Sequence, residues 1–219
     1  MITLHNVEKR FPTGFCLRIP DLCIADGERV AVIGTNGSGK STLLRLLAGI
    51  ITPDAGTVTV TPPGTRVGYQ PQNAYTFRGS VTANVRLAAA KDADLAAVLK
   101  RCRLEEFADK NARLLSGGEK QRMFLARMLA GNFDCLLLDE PFSAADIEMS
   151  DVLCGVLTDV CRERGTTLLM ATHLPAQALG TATKILLLND GEVAEYSDAE
   201  NLTHPASDFG KKFVSRWKL

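Results

Sequence analysis

The chain has 219 residues, and its 25 lysines and arginines balance 25 aspartates and glutamates, so the formal net charge is zero. That balance removes the overall basic field that would gather the protein on nucleic acid or an anionic membrane. No apolar run approaches the roughly 18 to 20 residues that span a bilayer. The start MITLHNVEKRF also lacks the regions of a signal peptide, so the chain is expected in the cytoplasm unless it docks on a membrane partner.

In chain order, ITLHNVEKRF, FCLRIPDLCI and GERVAVIG read as β-rich runs broken by Gly, Pro and Asp. The period then changes. In KSTLLRLLAGI, Leu43, Leu46, Leu47 and Ile50 fall at i, i+3, i+4 and i+7, which predicts a helix with one buried face. Strands follow at GTVTV and TRVGYQ. From Asn73 to Phe133 the texture is helical, with VTANVRLAAA, ADLAAVLKRCRL and GGEKQRMFLARMLAG. Strand character returns at CLLLDE, then after the helix DVLCGVLTDVCRERG at TTLLMATH and KILLLNDGEVAEY. Apolar strands alternating with helices predict an α/β fold whose parallel strands are buried on both faces. The six cysteines show no C-x-x-C spacing and are expected as reduced thiols, with Cys154 and Cys161 sharing a helix face as small buried side chains. The charge clusters KRCR (100–103) and KKFVSRWKL at the end read as solvated faces.

Three stretches carry chemistry. GTNGSGKST, Gly34 to Thr42, fits G-x-x-x-x-G-K-[ST] between a strand and an amphipathic helix. Backbone N–H groups of Asn36, Gly37, Ser38, Gly39, Lys40 and Ser41 can then converge on a phosphate at the positive end of the helix. Lys40 supplies a point charge, and the Ser41 hydroxyl, followed by Thr42, supplies a Mg²⁺ ligand. In CLLLDEP, Asp139 and Glu140 end a buried strand, where alternation predicts that they point in different directions, Asp139 to a metal ion and Glu140 to an attacking water. The third is LLSGGEKQR. Ser116 and Glu119 form a Ser-x-x-Glu capping box, which leaves Gly117 and Gly118 unexplained, since glycine weakens a helix. Bare backbone at a helix N-terminus is a second anion site, with neither lysine nor metal ligands.

LLSGGEKQR resembles the signature motif of the ATP-binding cassette (ABC) family. The other motifs match that family in order: the phosphate loop, YQPQN like the Q-loop, the signature, CLLLDEP like the Walker B strand, PFSAAD like the D-loop, and LLMATH like the switch-histidine strand. The resemblance implies a P-loop NTPase core, with a mixed, mainly parallel sheet and an N-terminal antiparallel β subdomain (1–72 and 134–219). Inserted in it is an α-helical signature subdomain (73–133). ATP and Mg²⁺ are the implied cofactors. Gln72 would contact Mg²⁺ or the lytic water, His173 would hold the γ-phosphate, and Phe11 would stack on adenine, with Phe15 competing for that role. Two copies would bind head to tail, the Ser116–Glu119 signature and Asp146 of one closing on the nucleotide of the other. Ala145 departs from the commoner S-A-L-D.

The function implied is an ATP-hydrolysing subunit at the cytoplasmic face of the membrane, powering separate permease subunits, with a solute-binding protein as a further partner. Import is favoured because DKNARLLSGG lacks the E-R-G segment common in exporters and NLTHPASDFGKKFV resembles importer tails. The compact length resembles systems for small solutes, amino acids or metal oxyanions. The alternatives are a nucleotide switch acting on a membrane or division partner, and an export ATPase. A chromosome or DNA-repair ATPase is disfavoured because no long heptad segment separates phosphate loop and signature.

Overall fold

The computed structural model describes residues 1–215. The last four residues of the KKFVSRWKL cluster lie outside them. In chain order the elements are β1 (Ile2–Arg10), β2 (Cys16–Ile19), β3 (Leu22–Ile24), β4 (Arg29–Gly34), α1 (Lys40–Leu47), β5 (Ala55–Val60) and β6 (Val67–Gln70). Then come α2 (Val81–Arg86), α3 (Leu95–Arg101), α4 (Gly117–Ala130), β7 (Cys135–Asp139), α5 (Ile147–Arg164), β8 (Thr167–Thr172), α6 (Pro175–Thr181), β9 (Lys184–Asn189), β10 (Glu192–Asp198) and α7 (Asp208–Val214).

Among the described residues the strands form one sheet in the order β3-β1-β2-β10-β9-β4-β8-β7-β6, with β5 also paired to β1. The half built from β9, β4, β8, β7 and β6 is parallel apart from its β9–β10 edge, and β1 pairs antiparallel with β2, β3 and β5. The class is therefore mixed α/β, as expected. In the parallel half, β4, β7 and β8 each lie between two neighbours and are apolar on both faces. Along β7, Leu136 and Leu138 enter the core shared with α2–α5, while Cys135 and Leu137 enter the opposite core against α1, the two-residue alternation of a strand.

The helical segment does not build a core of its own. Val81, Val85, Leu99, Met123 and Leu125 share one cluster with Leu153 and Leu157 of α5 and with the underside of β7 and β8. The signature helix is thereby fixed to the same layer that carries the carboxylate strand. Leu137 is fully buried between Tyr69 and Leu169 in register. Leu137→Ala is expected to cost about 2 to 5 kcal/mol, the range for opening a cavity at a buried leucine. Urea unfolding followed by circular dichroism reads this, and a loss below about 1 kcal/mol would show that the site collapses.

Local structure departs from the expected pattern at several residues. The helix face expected to run to Ile50 stops earlier, because α1 ends at Leu47 and Gly49 turns at φ 66°; Leu43, Leu46 and Leu47 are buried, and Ile50 is exposed. Within KRCR, the basic side chains are exposed but Cys102 is buried in the helical core. Cys154 and Cys161 are buried together on α5, and Cys23 is exposed. Burial pushes the Cys102, Cys135 and Cys154 thiols up to about 12, so they act as small apolar side chains.

Candidate nucleotide site

The carboxyl ends of the parallel strands open into a cleft of about 790 Å³ lined by Phe11, Phe15, Asn36, Lys40, Gln72 and Glu140, among others. Gly37, Gly39, Ser41, Thr42, Asp139 and the unanticipated Thr13 complete its wall. Gly34 and Ser38 lie beneath the loop, both buried. The N-cap of α1 is Gly39 at φ 104°, which offers no side-chain cap, so the first N–H groups of α1 are left for whatever enters the cleft. A side chain at Gly39 would be strained by that φ and would also strike Leu17 Cδ1 at 2.7 Å. Lys40 is buried and donates from Nζ to Gly34 O at 2.9 Å and Thr35 O at 3.0 Å, which coils the loop around its ammonium. Burial holds the Lys40 pKa below its ordinary value, against the raising pull of Glu140 and Asp139.

Asp139 and Glu140 both line the cleft. Asp139 ends β7, and Glu140, just beyond the strand, has φ 51°, in the left-handed region that few non-glycine residues adopt. Asp139 Oδ1 is buried and has no hydrogen-bond partner. Glu140 Oε2 accepts from His173 Nδ1 at 2.8 Å. The His173 turn is braced by buried polar groups: Thr172 Oγ1 accepts from Leu174 N at 3.1 Å and donates to Gln177 Oε1 at 2.7 Å, and Gln177 Nε2 donates to Ser150 Oγ at 3.0 Å on α5.

The remaining candidates lie elsewhere. Ser116, Gly117, Gly118, Glu119 and Asp146 line a second hollow of about 440 Å³ with Arg122, Ala144 and Met149. The capping box is formed: Ser116 Oγ accepts from Glu119 N at 3.3 Å, and Glu119 Oε2 accepts from Ser116 N at 2.8 Å. That bond, with Lys110 nearby, holds the Glu119 carboxyl below its ordinary pKa. Gly118, though not Gly117, has a reason beyond bare N–H groups. A Cβ on Gly118 would come within 3.2 Å of Ala144 O, tight enough that the loop must give, whereas one on Gly117 would make only ordinary contact with Ala144 Cβ at 3.5 Å.

Residues 17–143, more than half of the chain, match the family model described as ABC transporter. The chain belongs to the ABC transporter family. The sulfate/thiosulfate import ATP-binding protein CysA of Thermosynechococcus vestitus is 35% identical over 231 residues, covering 97% of this chain and 69% of that protein. The thiamine import ATP-binding protein ThiQ of Salmonella choleraesuis is 33% identical over 198 residues, covering 83% and 84%. Among solved structures, the ATP-binding cassette MJ0796, as a post-hydrolysis dimer bound to ADP and Pi, superposes with a TM-score of 0.78 at 28% identity, covering 91% of this chain and 99% of that one. This ABC chain is accordingly an ATPase and an ATP-binding subunit of importer type.

Several residues that organise the ABC site escaped the sequence reading. Arg127 of α4 is one: its guanidinium donates to Asn84 O at 2.9 Å, Asn84 Oδ1 at 2.8 Å and Tyr75 O at 3.1 Å, and lies over the Phe77 ring at 5.3 Å. It ties the stretch after Gln72 to the signature helix. Gln177 and Gln121 are the others, both buried glutamines in helices, where no linear pattern marks an internal hydrogen bond. Among the described residues, no helix is long and apolar enough to cross a membrane.

Proposed function

We propose that this subunit binds Mg²⁺ and ATP in the 790 Å³ cleft, hydrolyses the ATP when a second copy closes on it head to tail, and so drives separate membrane permease subunits that import a small solute. The observation that carries this reading is the division of phosphate-binding equipment. Lys40, Ser41, Asp139 and Glu140 line one cleft, whereas Ser116, Gly117, Gly118 and Asp146 line another hollow of the same chain. One copy holds half of each site. A head-to-tail pair joins the halves, and the dimeric MJ0796 cassette shows that a relative pairs.

Within the cleft, Lys40 exchanges its carbonyl partners for the β- and γ-phosphate oxygens, and N–H groups of the loop at the start of α1 receive the rest. The orphaned Oδ1 of Asp139 fits a cation, since a buried carboxylate oxygen left bare is costly. Asp139, the Ser41 hydroxyl and Gln72 would hold Mg²⁺, an oxygen set suited to an ion that completes its shell with phosphate and water. The ion supplies neutralisation of the phosphate charge. Glu140 polarises the attacking water, and His173, fixed on Glu140, reaches the γ-phosphate. Phe11 is the adenine platform, because Phe15 is packed down against the loop beside Gly39. Residues 73–133 serve as the signature subdomain, carrying Ser116–Glu119 to the partner, against the core 1–72 and 134–219.

The import relatives named for sulfate or thiosulfate and for thiamine support a small solute; a solute-binding protein would deliver it to a permease on whose cytoplasmic face this subunit would sit. Ser116→Arg tests the shared site. Turnover is expected to fall about 100-fold or more, as when a preorganised anion contact is lost, while the monomer's affinity for a fluorescent ATP analogue stays within about twofold, under 0.5 kcal/mol. Lost monomer affinity would mean that the signature does not act across an interface.

A further inference from the structure

Gln121 sits one turn into α4, buried, and its amide is used at both ends. Nε2 donates to Ser143 Oγ at 2.9 Å, and Oε1 accepts from Ala144 N at 2.8 Å. Both partners belong to the loop between Glu140 and α5. That loop ends at Asp146, the N-cap of α5, whose Oδ1 accepts from Met149 N at 2.8 Å. On the α4 side, Gly118 lies against Ala144 O too closely for a side chain to fit without displacement. The signature turn and the 143–146 loop are therefore fastened by two side-chain hydrogen bonds and a glycine contact, and the hollow they share is lined by both. Ser143, Ala144 and Asp146 are themselves exposed, and apart from Gln121 the loop is held by its own turn bonds, Ser143 N to Glu140 O at 3.4 Å and Ala145 N to Phe142 O at 3.1 Å, and by Ala145 against the core.

We propose that Gln121 is a positioning residue of the half-site offered to the partner copy. It locks Ser143–Asp146 to the N-terminus of α4, so that Ser116–Glu119 and Asp146 meet the partner's nucleotide as one preformed lip. A lip ordered in advance loses less conformational freedom when the two copies close, which is how preorganisation strengthens association. Gln121 reaches no nucleotide itself. The inference rests on the head-to-tail reading above.

The test uses ATP-dependent dimerisation of full-length Glu140→Gln protein, followed by sedimentation velocity, so that turnover does not consume the dimer. Adding Gln121→Leu leaves the Ala144 N–H without its acceptor and is expected to weaken the ATP dimer about tenfold or more. ATP affinity of the monomer should stay within about twofold. Gln121→Glu should recover most of the dimer, because the Ala144 N–H and the Ser143 O–H can both donate to a carboxylate. Ser143→Ala removes one of the two bonds while keeping the amide, and should weaken the dimer by a smaller factor, about threefold; it decides the matter should Gln121→Leu fail to fold.

Dimerisation unchanged in Gln121→Leu, or in Ser143→Ala if the former does not fold, would overturn the proposal. So would equal defects in the Leu and Glu variants, or a loss of monomer ATP affinity that accounts for the loss of dimer. Should the Glu140→Gln parent itself form no ATP-dependent dimer, the head-to-tail reading fails, and the role of Gln121 fails with it. A normal parent with an indifferent Gln121 variant removes Gln121 alone.

Discussion

Lys40→Ala is expected to abolish ATP hydrolysis, lowering phosphate release by about 100- to 1,000-fold or more, the scale on which one preorganised charge contact acts on a developing anion. The ammonium is positioned before any nucleotide arrives, between the carbonyls of Gly34 and Thr35. Those carbonyls accept from it without neutralising it. Burial lowers the Lys40 pKa, which means that the folded protein holds this charge at a cost in the absence of phosphate. The linkage has a definite sign: with a folded pKa below the unfolded value, stability rises with pH through the window between them and is lowest where both states are protonated. Near neutral pH, removing the ammonium therefore removes a destabilising charge along with two hydrogen bonds. Melting of the nucleotide-free variant should match or exceed that of the parent, while nucleotide no longer raises its melting temperature. Unchanged turnover in Lys40→Ala would refute the phosphate-loop assignment, and a large loss of melting temperature without nucleotide would refute the account of its burial.

What could be read from the linear chain was what depends on neighbours in sequence. Gly34 to Thr42 is legible as a tight loop entering α1, because its glycines and the lysine that opens the helix are contiguous in the chain. Ser116 and Glu119 are legible because a capping box is local, and it forms as its spacing implies. The run Cys135–Leu138 betrays a strand buried on both faces, and both faces are covered. What depends on distant partners was not legible. The pairing of β5 with β1 and the placing of β10 beside β2 join segments far apart in the chain. Gln121 and Gln177 look like ordinary polar helix residues until the loops they hold are folded against them. Gly118 reads in the sequence as bare backbone for an anion, yet the approach of Ala144 O restricts it as well. The two explanations are compatible, because the surface that presents the N–H groups is the one on which the 143–146 loop rests.

Glu140→Gln is the sharper probe of chemistry, because it alters two atoms' charge and almost no shape. Glu140 lies just beyond β7 with a left-handed φ of 51° and lines the cleft beside Asp139. That conformation costs of order 1 kcal/mol or more for a residue with a side chain. The surrounding structure holds it there: Glu140 N donates to Ala171 O at 3.0 Å, and its carboxylate is fixed by His173 at 2.8 Å. Glutamine at this position keeps the carbonyl oxygen that accepts from His173 and so keeps the geometry, but it has no charge with which to draw a proton from water. Turnover is expected to fall about 100- to 10,000-fold, the range for removing a general base, while ATP still binds. If two copies close over ATP before hydrolysis, as proposed, the variant should accumulate ATP-dependent dimers that the parent passes through too briefly to populate. Paired measurements of phosphate release and sedimentation velocity read both effects. Hydrolysis at the parental rate would remove Glu140 from its role, and lost turnover with lost ATP binding would make the left-handed turn a support for the cleft instead of a mount for its base.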